Sequence, residues 1–300
     1  MKTKAAVLVL TVLLALPLLA QAPPSYAPGQ LDGLVSRIAL YPDPLLAQVL
    51  AAATFPDQIP DAARWADQHH YLTGQALADA IQADQLPWDP SVQALLPFPS
   101  VLDMMASDMN WTTDLGNAFL AQQQDVMDAV QRERHAAYQY GYLRSNPQVV
   151  VTPGPYITIA PVNPAFIVVP YYDPRVVFIA PRPGFFVGGA IRFGFGVTIG
   201  GFFRPWGWGV GRFDWRGHAV IINNNPWRRT WVNRREYVHP YPAVRRVPPA
   251  ADRAPERHEL HERSEYERIA PRQGHKVEEE HRAAPKHDQH EPEQHDHDRR

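Results

Sequence analysis

The sequence predicts an α+β protein: an all-α N-terminal domain of six or seven short helices, a small antiparallel β-rich module, and a disordered C-terminal tail. Three observations carry this. Apolar residues recur at helical spacing from residue 31 to about residue 145, and from Gln148 the apolar period falls to two. Beyond about Val247 the chain is dominated by Pro, Glu, Arg and His, and no apolar period survives.

The first helical run, Leu31, Leu34, Val35 and Ile38, is followed by a second, Leu45, Leu46, Val49, Leu50 and Ala53. Tyr41-Pro42-Asp43-Pro44 lies between them. Pro42 cannot continue the first helix, Asp43 can accept from the free N–H groups of the next, and Pro44 suits a first helical turn. Residues 23–30 (PPSYAPGQ) read as a linker before this pair. Further helices are expected from Pro56 to His69, after the Thr73 cap, at Asp89-Pro90 and at Pro99-Ser100. The longest is expected from about Thr112 to Tyr140, its seam formed by Leu115, Phe119, Val126, Val130 and Ala137. Gly141 and then Asn146-Pro147 stop it.

Strands are expected at 149–151, 156–159, 166–169 and 176–179, separated by Pro153-Gly154, Asn163-Pro164 and Asp173-Pro174. Residues 191–200 alternate large apolar with small or polar residues, which favours strands there too. A glycine-spaced membrane helix competes for this stretch, because Gly184 and Gly188, then Gly196 and Gly200, stand four apart. Arg192 opposes it. One more strand is expected from His218 to Ile222. The domains are thus a helical domain at 31–145, a β-rich Gly/aromatic module at 148–225, and at 226–300 a basic, then His/Glu/Arg-rich, disordered tail.

Several ordered motifs resemble the bacterial domain-of-unknown-function family 3300. They are the run from Leu31 to Ile59, Ala63-Arg64-Trp65, Pro87-Trp88-Asp89-Pro90-Ser91-Val92, Trp111-Thr112 through Leu115-Gly116-Asn117-Ala118-Phe119, and Phe166 through Pro174. The resemblance covers roughly residues 31–180. It implies an exported protein without an assigned activity, and no site residue carries over.

Lys2 and Lys4 precede an apolar run from Ala5 to Ala20 broken only by Thr11 and Pro17, so residues 1–22 read as a secretory signal peptide. Cleavage is expected after Ala20, since cleavage after Ala22 would leave Pro23 first. The run is too short and too interrupted for a membrane span, and no transmembrane span is expected in the mature protein. The expected address is the periplasm or cell envelope of a Gram-negative bacterium, or the medium. The sequence has no cysteine, which excludes disulfides, thiol catalysis and a lipid-anchored N-terminal cysteine.

Charge is strongly segregated. Residues 23–150 hold 5 Lys+Arg against 14 Asp+Glu, residues 181–250 hold 11 against 2, and residues 251–300 hold 10 against 14. The acidic helical part, the basic aromatic part and the mixed tail are three different physical objects. In the basic part Arg204, Trp206, Trp208, Arg212, Trp215, Arg216, Trp227, Arg228 and Arg229 form a candidate binding surface. Arginine with tryptophan suits lipopolysaccharide phosphates, anionic head groups or a membrane interface. It also suits docking onto the acidic helical part, or onto a partner protein of the envelope. Nucleic acid is disfavoured for an exported chain.

Nine of 13 histidines follow residue 238, and His258, His261, His287, His290, His295 and His297 at spacings of two or three form a candidate site for weak Zn²⁺, Ni²⁺ or Cu²⁺ binding. The competing reading is a solubilising, pH-responsive tail. No other cofactor is expected. Asp125 and Asp128 stand three apart on the long helix, but solvated charges belong beside a seam, and Asp43, Asp57, Asp61 and Asp89 are explained as helix-start acids. No nucleophile motif and no phosphate-binding glycine loop is present. The expectation is a non-enzymatic binding or scaffolding protein of the envelope. Its rivals are a hydrolase of an envelope polymer, using Asp89 or Asp125 in a cleft, and metal binding by the tail.

Overall fold

Helix α2, Asp43–Ala53, is the axle of the molecule: every residue from Leu45 to Ala53 is buried. A helix apolar all round must be covered all round, and here the cover comes from both halves of the chain. Helices α5 (Pro90–Gln93) and α7 (Met109–Ala121) pack on it, and so do strands β2 (Thr158–Pro161), β7 (Arg212–Asp214) and β8 (Ala219–Ile222). The computed structural model describes residues 22–182, 184, 188–194, 196–209 and 211–237. The expected signal peptide, apart from Ala22, and the histidine candidates lie outside them.

The remaining helices of this part are α1 (Pro28–Val35), α3 (Ile59–Gln68), α4 (Gly74–Asp84), α6 (Pro99–Ser107) and α8 (Gln123–Gln139). Helix α1 packs on α8, and α3 on α6. Helix α1 starts at Pro28, inside the stretch expected to be linker, because the Gln30 side chain caps the Ala27 N–H at 2.8 Å. Pro56–Gln58 forms a 3₁₀ turn ahead of α3 rather than its first turn.

The long helix expected from Thr112 to Tyr140 is two helices. Gln122, at φ −138° and ψ 48°, ends α7 and begins α8. Its side chain accepts from the Tyr26 N–H at 2.7 Å and donates to Asp125 at 2.9 Å, so the break is held by side-chain bonds to a distant residue. No proline or glycine marks it, and the periodicity runs through it unchanged.

Strands follow at β1 (Val149–Thr152), β3 (Phe166–Ile167), β4 (Pro170–Tyr171), β5 (Arg192–Phe193), β6 (Val197–Thr198) and β9 (Asn225–Pro226). All pairings are antiparallel. They do not form one meander: β1 pairs with β2, but β3 pairs with β6 and β4 with β5, a nested ribbon. The strand expected at 176–179 is instead the short helix α9, Pro174–Val177. The Asp173 carboxylate accepts from the Arg175 N–H at 2.9 Å and starts it, so the Asp-Pro pair overrides the β-branched run. Residues 191–200 contribute two short strands, not a glycine-spaced helix. No helix among the described residues is long and apolar enough to cross a membrane.

Strands β8 and β9 are joined by Asn223-Asn224, with φ of 50° and 63°. Two consecutive positive φ values define the hairpin turn that matches strand twist, and asparagine tolerates them best after glycine. One apolar core runs from Leu31 on α1 through Phe119 on α7 to Phe203, Trp208, Phe213 and Trp227. A second cluster, including Leu40, Ala137, Val149, Ile157 and Val168, lies under the β1–β2 hairpin. The helix-to-strand boundary near residue 148 is therefore a change of secondary structure inside one unit.

Candidate functional site

The five tryptophans of the basic segment point inward. Trp206 donates to Gln93 Oε1 at 2.7 Å and Trp208 to the Ala94 carbonyl at 2.8 Å, so both are bolted to the α5 turn. Trp208 also packs against Phe98, and Trp215 stacks on Phe213 with ring centroids 4.3 Å apart. Trp227 and Trp231 are buried as well, and the backbone N–H of Trp231 donates to the Leu120 carbonyl. Such rings supply burial, each with a polar edge that needs a partner. They hold the segment down and are not part of any outward surface.

The arginines divide. Arg229 follows the tryptophans inward: its guanidinium lies 3.6 Å from the Phe55 ring centroid and donates to the Thr54 carbonyl at 2.6 Å and hydroxyl at 2.9 Å. It caps the C-terminal end of α2, where helix carbonyls lack partners. Arg204, Arg212, Arg216 and Arg228 are exposed. Arg204 and Arg212 share the β8–β9 turn, since Asn223 donates to the Arg204 carbonyl at 2.8 Å and Arg212 to Asn224 at 3.3 Å. Among the described residues no carboxylate stands within ion-pair distance of these four.

Fully buried Arg134, on α8, forms a second polar centre. It donates to the Ala39 carbonyl at 2.8 Å, to those of Tyr41 and Ile157 at 2.9 Å each, and to Asp43 at 2.6 Å. The Trp215 ring lies 5.0 Å from its guanidinium carbon. Burial pushes the Asp43 carboxyl up, and the Arg134 charge opposes that. Asp43 thus serves Arg134 rather than the helix cap expected of it; no side-chain bond caps α2, and its N-cap is Pro42. This centre joins the turn before α2, helix α8 and the β hairpin.

A family described as "Protein of unknown function (DUF3300)" matches residues 27–244. The chain belongs to the DUF3300 family. The "Uncharacterized protein YacH" of Escherichia coli (strain K12) is 36% identical, over 51% of this chain and 30% of that protein. The chain thus spans less than a third of this relative's length. No solved structure matches the chain.

The candidate acids Asp89, Asp125 and Asp128 each have a side-chain or backbone partner. Asp89 caps α5, accepting from Ser91 N–H at 2.9 Å and its hydroxyl at 2.6 Å, and burial raises its pKa. Asp128 meets His218 Nε2 at 2.9 Å, while Asp125 accepts from Gln122. Sequence reasoning missed Arg134. The signal was present: Arg134 stands four residues after Val130 on the same apolar seam of α8, and a charge on such a seam needs a buried partner. Sequence reasoning also missed a cleft of about 440 Å³ lined by the α3–α4 connection, the turn before α6, and β6.

Proposed function

We propose that this DUF3300 protein is an exported, non-enzymatic envelope protein that binds anionic surfaces through exposed arginines. The observation that carries this is the division of the basic segment, with tryptophans anchoring it from below and Arg204, Arg212, Arg216 and Arg228 left outside without carboxylate partners among the described residues. Arginines on β7 and on the turns and ends flanking β7–β9 offer guanidinium forks to phosphate or carboxylate. The basic start and apolar run at the N-terminus support export.

The test is co-sedimentation of the mature protein with phosphatidylglycerol vesicles and with purified cell wall across a salt series. Binding that weakens steeply between about 50 and 500 mM salt is expected. It should be lost when Arg204, Arg212, Arg216 and Arg228 are all changed to Gln, with the thermal midpoint unchanged. Absence of binding at low salt, or binding that the fourfold variant retains, sinks the reading.

A further inference from the structure

Exposed aromatic rings stand beside residues that line the cleft of about 440 Å³. Tyr71 is 69% exposed, Tyr171 50%, Phe202 40% and Phe166 39%. Tyr71, Phe202 and Phe166 adjoin residues of the cleft lining, and Tyr171 stands next to it. The Tyr71 ring lies 6.3 Å from that of His69 and 6.0 Å from that of His70, both of which line the cleft. Phe202 is the ring that a Cβ on Gly74 would meet, at 3.9 Å, and Phe166 covers Gly196 so closely that a Cβ there would lie 2.0 Å from the ring. Tyr171 covers Gly194 and bonds Ser100 through its hydroxyl at 3.1 Å, next to Pro99 of the lining. Three exposed rings beside one cleft, with a fourth next to them, make a patch that asks for a partner, whereas scattered exposed rings would not.

The polar groups narrow the partner. No Lys, Arg, Asp or Glu is among the described residues lining the cleft, whose polar side chains are His69, His70, Thr73 and Thr198. His69 Nδ1 lies 2.8 Å from the Trp65 carbonyl oxygen, and His70 Nδ1 2.5 Å from that of Asp67. A carbonyl only accepts, so each Nδ1 carries the hydrogen, and in the neutral ring Nε2 offers a lone pair. A ligand meeting these nitrogens has to bring O–H or N–H donors.

We propose that this cleft binds an uncharged glycan. The C–H-rich face of a pyranose ring lies flat on an aromatic face, whose π-cloud is the negative part of the ring. Its hydroxyls supply the donors that both imidazoles require, and exchange hydrogen bonds with the two threonines. A proline-rich peptide, another occupant of aromatic grooves, fits less well: it offers carbonyls and few N–H groups. The site is separate from the arginine face and does not depend on it.

The experiment is calorimetric titration of the full chain with chitotetraose, cellotetraose and maltotetraose, and in parallel with decaproline. At least one tetrasaccharide binds with a dissociation constant below about 1 mM. Tyr71→Ala and Phe202→Ala each weaken it roughly three- to tenfold, the effect of losing one stacked ring. Both leave the thermal midpoint in place, because both rings are exposed. The affinity is insensitive to salt and to the fourfold Arg→Gln change, which separates this site from anionic-surface binding. The inference is overturned if none of the three sugars binds at millimolar concentration, if both ring variants bind as tightly as the parent, or if only decaproline binds.

Discussion

Arg134 shows what a single residue settles in this protein. It is fully buried, with four oxygen partners, three of them backbone carbonyls from segments nearly a hundred or about twenty residues away in the chain. Removing it strands Asp43 and orphans those carbonyls, so Arg134→Leu is expected to lose about 3–5 kcal/mol in urea unfolding of the full chain. Adding Asp43→Leu should recover part of that loss, since the stranded carboxylate is then gone; equal stability of single and double variants would place the cost in the carbonyls alone. Glu133, one residue earlier, titrates differently. Burial and then the charge of Asp32 push its pKa to about 7 from 4.5, with Arg132 opposing. The folded state then holds a proton that the unfolded state has released, so stability falls as pH rises from about 4.5 to 7. Glu133→Gln removes that slope. Thermal midpoints at pH 5 and pH 8 should differ less in the variant than in the parent; an unchanged difference would rule the assignment out.

Among the elements, α2 and α7 meet closely at Gly116. A Cβ on Gly116 would lie 1.9 Å from the Ala53 carbonyl oxygen, so only glycine lets these helices meet there. Gly116→Ala has to force the helices apart, and a loss of about 3 kcal/mol or more is expected by denaturant unfolding. A loss near zero would mean that α7 shifts freely on α2. Helix starts were legible where proline and acid make them locally: Asp89 caps as its sequence predicts, whereas the same Asp-Pro signal at Asp173 starts a helix where a strand was expected. The α7–α8 break was not. It depends on Gln122 binding the backbone of Tyr26, a partner 96 residues away that no local pattern contains.

At the scale of the whole molecule, the acidic and basic halves are interleaved in one core. Phe203, Trp206, Trp208, Phe213, Trp215 and Trp227 complete the cover of the helices. A chain cut after Ile179 therefore exposes part of the α2 surface. It is expected to lose the cooperative thermal transition of the intact protein, measured by circular dichroism; a sharp transition at the parental temperature would mean the helices close a core alone. That dependence also makes arginine substitution, not truncation, the way to separate surface binding from folding.

Read alone, the sequence determines the class of this protein: helices, then strands, their order, most of their starts, and the segregation of charge. These follow from local rules of period, proline and capping that act over a few residues. The motifs of residues 31–180 also pointed to the DUF3300 family, which matches residues 27–244. Tertiary structure alone decided which side each residue serves. It turned the tryptophans inward and left four arginines outside, gave Asp43 to Arg134, and set Tyr71, Phe166 and Phe202 beside residues that line one cleft. Those outcomes depend on partners brought together from distant parts of the chain, and burial is a property of the folded neighbourhood rather than of the residue.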